Sequence, residues 1–559
     1  MYVRVKSTPN SPRKSVQIVE GYRAKDGKVK QKIVHYVGIA LDDAEEAQLK
    51  DMAEACIIKI KLQRQKNESQ GHLFDTEEKD CGLMKKRGRK KQKQLHEILP
   101  PSEVRLDEIV EERRIIEGVD EVAGHVFDDI YGSMGQQKIF YRRMKDVVLA
   151  RMVCPRSKYK IQQELSNRFD KEHDLDALYR MMDEVFEQIP LIKQLSFAKT
   201  QSLFPRGIDV LLFDVTTLYL ETTETDELRQ FGYSKDHRFN TTQVVLALAT
   251  NSSGLPIGYE LFAGNCAEVS TLKASIESWK KLFPIGSVCF VGDRAMMSEA
   301  NIALLESSGY QYVIAAKLQK LPKQMQAEIF DDERYQLRAV NGEASWLGEF
   351  KYQERRLLVS YKSTRAKHDR KERQVVLDKI QKQLNKSGKV SKLISNQGVK
   401  KYTKIVQDSA IEIDESKVLQ AAQWDGFHGV ISNITEASAE SLLARYASLW
   451  KIEESFRINK HSLAMRPIFH WKPERIQAHI ALCYMTFTVL RHLEYQVNLM
   501  QKVSVNQILE ELLNVQASIH VHKRTKDHYR VPGHFSNTAR KIYKAFDLDR
   551  SLDASVYLK

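Results

Sequence analysis

The chain has 559 residues, 42% of them hydrophobic and 9% aromatic, which is enough to bury several cores and too many for one, so a folded protein of three or four domains is expected. Lysine and arginine exceed aspartate and glutamate by 14 (87 − 73), and a pI near 9.2 favours a polyanionic partner, with nucleic acid first. The six cysteines form no CxxC pair, against a zinc ribbon or disulfide framework; residues 1–15 lack a signal peptide's apolar stretch and no uncharged apolar run reaches the ~18 residues that span a bilayer, so a cytoplasmic protein without a membrane partner is expected.

Residues 1–40 alternate apolar and polar positions, as in Tyr2-Val3-Arg4-Val5-Lys6 and Ser15-Val16-Gln17-Ile18-Val19, with Asp26-Gly27 as a turn signal. A small antiparallel sheet is predicted, then a helix over roughly 42–65, so that 1–65 forms a β-rich unit, which the chain's basic charge makes a candidate for DNA binding. The polar stretch 66–102 has seven basic residues in the nine from Lys85 to Lys93 and reads as a cationic linker. Within it Arg87-Gly88-Arg89 resembles the core of an AT-hook, which makes Arg87 and Arg89 candidates for the minor groove; a solvated linker held near DNA by charge alone is the alternative. Three- and four-residue apolar spacing over 103–200 predicts an all-helical domain, a second candidate for DNA binding.

The periodicity then changes. Strands are predicted near 208–220, 243–250 and 255–263, followed by a helix at 270–282, a strand ending at Asp293, a helix at 298–308 and a strand at 310–316. This α/β order resembles the RNase H-like fold, whose first and fourth strands carry its carboxylates; Asp214 and Asp293 fall on those two. An aspartate inside an apolar strand is costly to bury as an ion unless metal, hydrogen bonds or solvent compensate it. Hydrogen bonding within the strand for Asp214 and a helix cap for Asp293 are the bland alternatives. Residues 201–316 would be the first part of the core and 317–435 a mixed α/β insertion domain, with short strands at 356–361, 410–413 and 429–434 around a basic helix at 363–386. Residues 436–500 would complete the core with helices at 437–460 and 473–497, leaving a C-terminal region at 501–559.

At ~100° per residue, Tyr446, Trp450, Glu453, Arg457 and Lys460 fall within about 80° on one helix, so a carboxylate, cations and a phenol share one stripe. Such a stripe suits phosphoryl transfer, in which a metal ligand stands beside cations that hold phosphate oxygens. It equally describes a solvated face with an i, i+4 pair.

Asp214-Val215-Thr216-Thr217, Gly232-Tyr233-Ser234-Lys235-Asp236-His237-Arg238, Gly292-Asp293-Arg294-Ala295-Met296 and Tyr446…Leu449-Trp450-Lys451-Ile452-Glu453…Phe456-Arg457…Lys460 resemble bacterial insertion-sequence transposases of the DDE class, in the group with a YREK signature. The resemblance covers about residues 100–500. It implies that Asp214, Asp293 and Glu453 are the catalytic, metal-binding triad, that Tyr446 and Lys460 are the tyrosine and lysine of the signature, and that two Mg²⁺ ions, replaceable by Mn²⁺, are cofactors. Leu449 stands where the signature has arginine, with Arg445 or Arg457 as neighbouring substitutes; Glu454 is the rival for the third carboxylate.

The implied activity is binding of terminal inverted repeats on double-stranded DNA, pairing of two ends in a homodimer, cleavage with a hairpin on the second strand, and transfer to target DNA. A catalytically inactive DNA-binding repressor and an RNase H-like nuclease without strand transfer are the alternatives. Lys235 and Arg238 after the first strand, and Arg365 to Arg373 in the insertion, are further DNA-binding candidates, with solvated surface as the default. Trp424 is a candidate for stacking on an unpaired base, with a core position as the commoner outcome for a tryptophan. No chemistry is assigned to His470-Trp471, after Arg466-Pro467.

Overall fold

The alternating positions at the start of the chain form β1 (Tyr2–Ser7), β2 (Lys14–Arg23) and β3 (Val29–Ala40), an antiparallel sheet in the order 1-2-3. Val3 pairs with Ile18 and Val5 with Val16, so one face of the pleat is apolar and closes on Ala53 and Ile57. The structure, a computed structural model, describes residues 2–7, 14–23, 29–40, 46, 50, 53–54, 57, 100–205, 207–232, 240–282, 288–294, 298–340, 342–384, 401–405 and 411–558. Positions 46, 50, 53, 54 and 57 are helical, within the helix expected at 42–65. The basic linker with Arg87 and Arg89 lies outside the described residues. The chain divides into two compact units, Met1–Leu95 and His96–Lys559.

The second unit opens with β4 (Ile109–Ile116), then α1 (Gly124–Tyr131), α2 (Ile139–Val153), α3 (Lys158–Phe169), α4 (Leu175–Glu187) and α5 (Ile189–Ser202). The all-helical expectation for 103–200 is corrected at β4. Its run Ile-Val-Glu-Glu-Arg-Arg-Ile-Ile is charged in the middle, and its sheet partner lies some 400 residues away in sequence. The central sheet begins with β5 (Val210–Tyr219), β6 (Gln243–Asn251) and β7 (Pro256–Ala263), continuing through α6 (Glu268–Leu282), β8 (Cys289–Gly292), α7 (Glu299–Ser307) and β9 (Gln311–Ala315). Strand, helix and order follow the sequence expectation.

The segment 317–435 is the one expected to be a mixed α/β insertion domain within the fold. It contributes α8 (Lys323–Ile329), β10 (Tyr335–Val340), β11 (Glu343–Tyr352), β12 (Arg355–Tyr361), α9 (Ser363–Leu384), the hairpin β13 (Thr403–Ile405) and β14 (Ile411–Ile413), α10 (Glu415–Ala422) and β15 (Phe427–Ser432). Four of these strands extend the central sheet, whose order is β10-β11-β12-β15-β9-β8-β5-β6-β7. β5, β8 and β9 are mutually parallel, and β15 joins β9 antiparallel.

The chain returns as α11 (Ala439–Ala447), α12 (Trp450–Arg457) and α13 (Pro473–Asn498). Next come α14 (Val505–Asn514), β16 (Gln516–His522), β17 (His528–Pro532), α15 (Asn537–Lys544) and β18 (Ser555–Val556); β4 completes a sheet of order β18-β17-β16-β4. α13 is apolar around most of its circumference, as a fully enclosed helix must be. Ala478, Leu482, Met485 and Val489 enter the core of the helices α1 to α5, while Ile480, Cys483, Tyr484 and Phe487 enter the core under the sheet. Among the described residues no helix is long and apolar enough to cross a membrane.

α13 also carries two buried histidines. Burial pushes His492 down to about 3, with Lys199 adding to the effect and Asp129 opposing it, and holds His479 well below its ordinary value beside Arg151, Lys158 and His470. His470, packed against His479 at 5.2 Å between ring centroids, is likewise pushed down to about 3. A histidine whose folded pKa is depressed stays neutral in the native state while the unfolded chain takes up the proton below about 6.5, so stability is full above that value and falls as pH drops towards 3. Urea unfolding at pH 7 and pH 5 is expected to show a loss on the order of 2 kcal/mol per ring, and His492→Gln to flatten that dependence.

Candidate active site

The strand pairing fixes the relation of the two aspartates. Val210 pairs with Cys289, Leu211 with Phe290 and Leu212 with Val291, a constant offset of 79. The same offset relates Asp214 to Asp293 (293 − 214), one residue past the end of β8, so the two stand side by side where parallel strands finish. This is the end of an α/β sheet at which ligands bind.

Side-chain alternation then gives the face. Leu211, Phe213 and Val215 pack on Leu272, Ile276 and Trp279 of α6, whereas Val210, Leu212, Cys289 and Val291 share a core with Leu449, Ile452 and Phe456. Asp214 and Asp293 have the parity of the second set and leave the sheet on the side covered by α11 and α12. Both are half-buried, and Asp214 Oδ1 accepts the Val215 N–H at 2.7 Å.

The single helix expected over 437–460 is corrected. α11 ends at Ala447 and α12 starts at Trp450, because the chain tightens at Ser448, whose hydroxyl donates to the Arg445 carbonyl at 2.6 Å and whose N–H donates to Ala444 and Arg445. Lys460 lies beyond α12, in a wider turn at Ile458–Ser462. The stripe nonetheless survives: Leu449, Ile452 and Phe456 are buried, Trp450, Glu453 and Arg457 are exposed, and Tyr446 is half-buried.

Tyr446 is the point on which the charges converge. Its ring stacks on His428 of β15, with centroids 4.8 Å apart and planes tilted by 41°. Burial raises the pKa of its phenol; Asp293 and Glu453 push the same way and Arg294 and Arg365 oppose them. Two of the three sequence-predicted acids and two cations therefore act on one hydroxyl. Burial, with Arg365 and Arg294, drives His428 down to about 3, so that the ring is neutral at physiological pH.

Glu453 and Glu454 differ in their partners. Glu454 accepts from Arg457 at 3.3 Å and lies 3.6 Å from Arg491, a buried guanidinium that also holds Glu494 at 2.6 Å and donates to the Gly254 carbonyl. That carboxylate belongs to a network that ties α12 to α13. Leu449, 6% exposed, is a core residue, so the position expected to answer to the signature's arginine points inwards. Of the two neighbouring arginines, Arg457 is bound to Glu454, and Arg445 lies against the buried Cys289 thiol, whose pKa burial raises and Arg445 draws back.

A cleft of about 570 Å³ opens beside Asp293, lined among others by Arg294, Lys317, Lys320, Arg365, Trp424 and Phe427. Trp424 packs on Phe330 at 4.6 Å and on Phe427 at 6.2 Å, so the indole is part of an aromatic cluster that also forms the cleft wall. Arg373 is held by Asp425 through two bonds of 2.5 and 2.6 Å. Lys235 and Arg238 lie outside the described residues. Among the described residues no group of three or more His, Cys, Asp or Glu side chains is placed to hold a metal ion. The chemistry of the donor set, carboxylate oxygens only, suits a hard divalent cation.

Sequence reasoning assigned no role to Arg294 or His428. Arg294 had a signal, its place directly after Asp293; His428 had none, since only the pairing of β15 with β9 brings it to this end of the sheet.

Residues 205–489 match the family described as transposase DDE domain, and residues 3–65 match the N-terminal domain of IS1634 family transposases. No curated protein matches the chain. Among solved structures, a piggyBac transposase synaptic complex with hairpin DNA is similar at 10% identity over 71% of this chain and 76% of that one, with a TM-score of 0.36, a likeness too distant to add to the family match. With its DDE domain spanning half of the chain behind an insertion-sequence N-terminal domain, the protein belongs to the DDE transposases, enzymes of metal-dependent DNA cleavage and strand transfer.

Proposed function

We propose that Asp214, Asp293 and Glu453 are the metal-binding carboxylates of a transposase that acts on the terminal inverted repeats of its own insertion sequence. The observation that carries this reading is the common register of β5 and β8, which aligns two aspartates on the face covered by the helix of Glu453. The engagement of Glu454 with Arg491 and Arg457 favours Glu453 as the third ligand. A divalent metal held by these carboxylates, expected as a pair of Mg²⁺ ions, would supply activation of water or a DNA 3′-hydroxyl and stabilisation of the leaving oxygen.

The protein's own groups do the rest. Arg294 and Arg365 bring positive charge to the side of Asp293 and Tyr446, where phosphate oxygens need it, and Arg294 takes the part that the signature gives to an arginine at the position of Leu449. The phenol of Tyr446, kept protonated by burial, can donate a hydrogen bond to a phosphate oxygen. His428 gives that ring a neutral, apolar support. This core has the strand and helix order of an RNase H-like fold. Residues 1–65, the linker and the helices α1 to α5 are the candidates for reading the element ends, and pairing of two ends calls for a homodimer.

The test is cleavage and joining of DNA carrying the sequences that flank the reading frame, with Mg²⁺. Asp214→Asn, Asp293→Asn and Glu453→Gln are expected to lower cleavage by on the order of 10²-fold or more while DNA binding persists. Glu454→Gln should instead leave cleavage largely intact and lower the unfolding temperature; the opposite pattern for the two glutamates would reassign the ligand. Wild-type protein that binds the ends without cutting them would mean a repressor, and cutting without joining a nuclease.

Two substitutions probe the missing arginine. Arg294→Ala should slow cleavage by roughly 10- to 100-fold, with part of the rate returned by Arg294→Lys. Leu449→Arg, which restores the signature on paper, should destabilise the fold by about 3–5 kcal/mol in denaturant titrations because it buries an unpaired charge.

A further inference from the structure

The segment Ile468-Phe469-His470-Trp471 alternates between the interior and solvent, and both inward residues are pinned. Ile468 forms a parallel bridge to Leu220: its N–H donates to the Tyr219 carbonyl and its carbonyl accepts from the Glu221 N–H, each at 3.2 Å. His470 packs edge-on to Tyr179 at 6.3 Å and against His479 at 5.2 Å. Phe469 and Trp471 between and beyond them are each 64% exposed, among the most exposed large apolar side chains among the described residues. Leaving two aromatic rings in water on a pinned backbone, which cannot tuck them in, points to a partner that covers them.

The surroundings say which partner. The first turn of α3 abuts His470 through Lys158, and beside it Arg156, Tyr159 and Lys160 are exposed, as is Lys472 after Trp471; Glu474 and Glu221 are exposed acids nearby, as is Asp183, which is held by Arg475. Aromatic faces rimmed by cations are the chemistry of a surface that stacks nucleobases while its charges hold the phosphates. The family acts on DNA. We infer that Phe469 and Trp471 form a stacking platform for bases of the DNA substrate.

Its position can be stated. Leu220, which anchors the platform, is six residues beyond Asp214 on one extended segment, or ~20 Å at ~3.3 Å per residue. At ~3.4 Å per base-pair step, this places the contact within about six base pairs of the scissile phosphate. That distance, though not the platform itself, rests on Asp214 as a catalytic carboxylate.

The experiment uses element-end duplexes with 2-aminopurine at single positions up to ten base pairs on either side of the cleavage site, bound to the full-length Asp214→Asn protein. A fluorescence change is expected at bases within about six steps. In the same background Phe469→Ala/Trp471→Ala should abolish it and weaken binding roughly 5- to 100-fold. Trp471→Tyr should keep the signal and Trp471→Leu lose it, because leucine keeps apolar area but cannot stack; circular dichroism checks that each variant is folded. The inference is overturned if no base responds, if the double variant gives the wild-type profile, or if Trp471→Leu behaves as wild type while the double variant changes only the oligomeric state, which would make the rings a protein contact. Cleavage surviving in Asp214→Asn would overturn the carboxylate assignment alone, since the fluorescence does not depend on chemistry.

Discussion

One helix sets the geometry of the larger unit. α13 gives one side to the helices before the sheet and the other to the underside of the sheet itself, so the two cores share a wall. Such a wall admits few polar groups, and two of them bond across the seam: Arg491 to the Gly254 carbonyl and His492 to the Thr200 hydroxyl at 3.2 Å. Arg151 of α2 crosses the same seam and donates to the carbonyls of Leu463 and Ala464 at 2.8 Å each, which fixes the turn between α12 and α13. The face that carries the acids is thus the face packed on α13, and it is held at its end by a buried guanidinium.

On that base the two aspartates need no motif of their own to share a register. Parallel pairing at a constant offset delivers them, and the alternation of side chains chooses their face. Glu453, the proposed third carboxylate, is placed by a different logic. α12 is short, and Leu449, Ile452 and Phe456 bind it to the core, so Glu453 can only face outwards. The different surroundings of the adjacent glutamates follow from helical geometry: 100° further round, Glu454 meets Arg491.

Much of this was legible in the sequence wherever it was local. The three strands, helix, strand, helix, strand around Asp214 and Asp293 could be read because each element has its own periodicity. β4 could not, since Glu111 to Arg114 spoil its pattern and its partner β16 is four hundred residues away. The break at Ser448 was hidden because both helices share the same apolar stripe, so the spacing reads as one. Long-range strand pairing also hid the insertion's role: an apolar run such as Leu357-Leu358-Val359 predicts a strand but not which sheet it joins. His428 escaped for the same reason, and the inward turn of Leu449 became visible only with its neighbours in place.

That last point bears on how a 160-residue interval (453 − 293) can separate two members of the proposed site. The chain leaves the core after β9, adds three strands at the far edge, and comes back as β15, which pairs directly with β9 through Val430 and Ala315. The same strand carries His428, and His428 lies under Tyr446 of the next helix. The returning strand therefore sets the height at which α11 crosses the sheet, and α11 in turn sets the start of α12. An insertion that ended in a separate domain would leave that helix to find its place by its own packing. Because the insertion ends as a strand of the same sheet, its register is passed on to the residues that follow, and a shift of β15 by one position would turn His428 to the opposite face and remove the support of Tyr446.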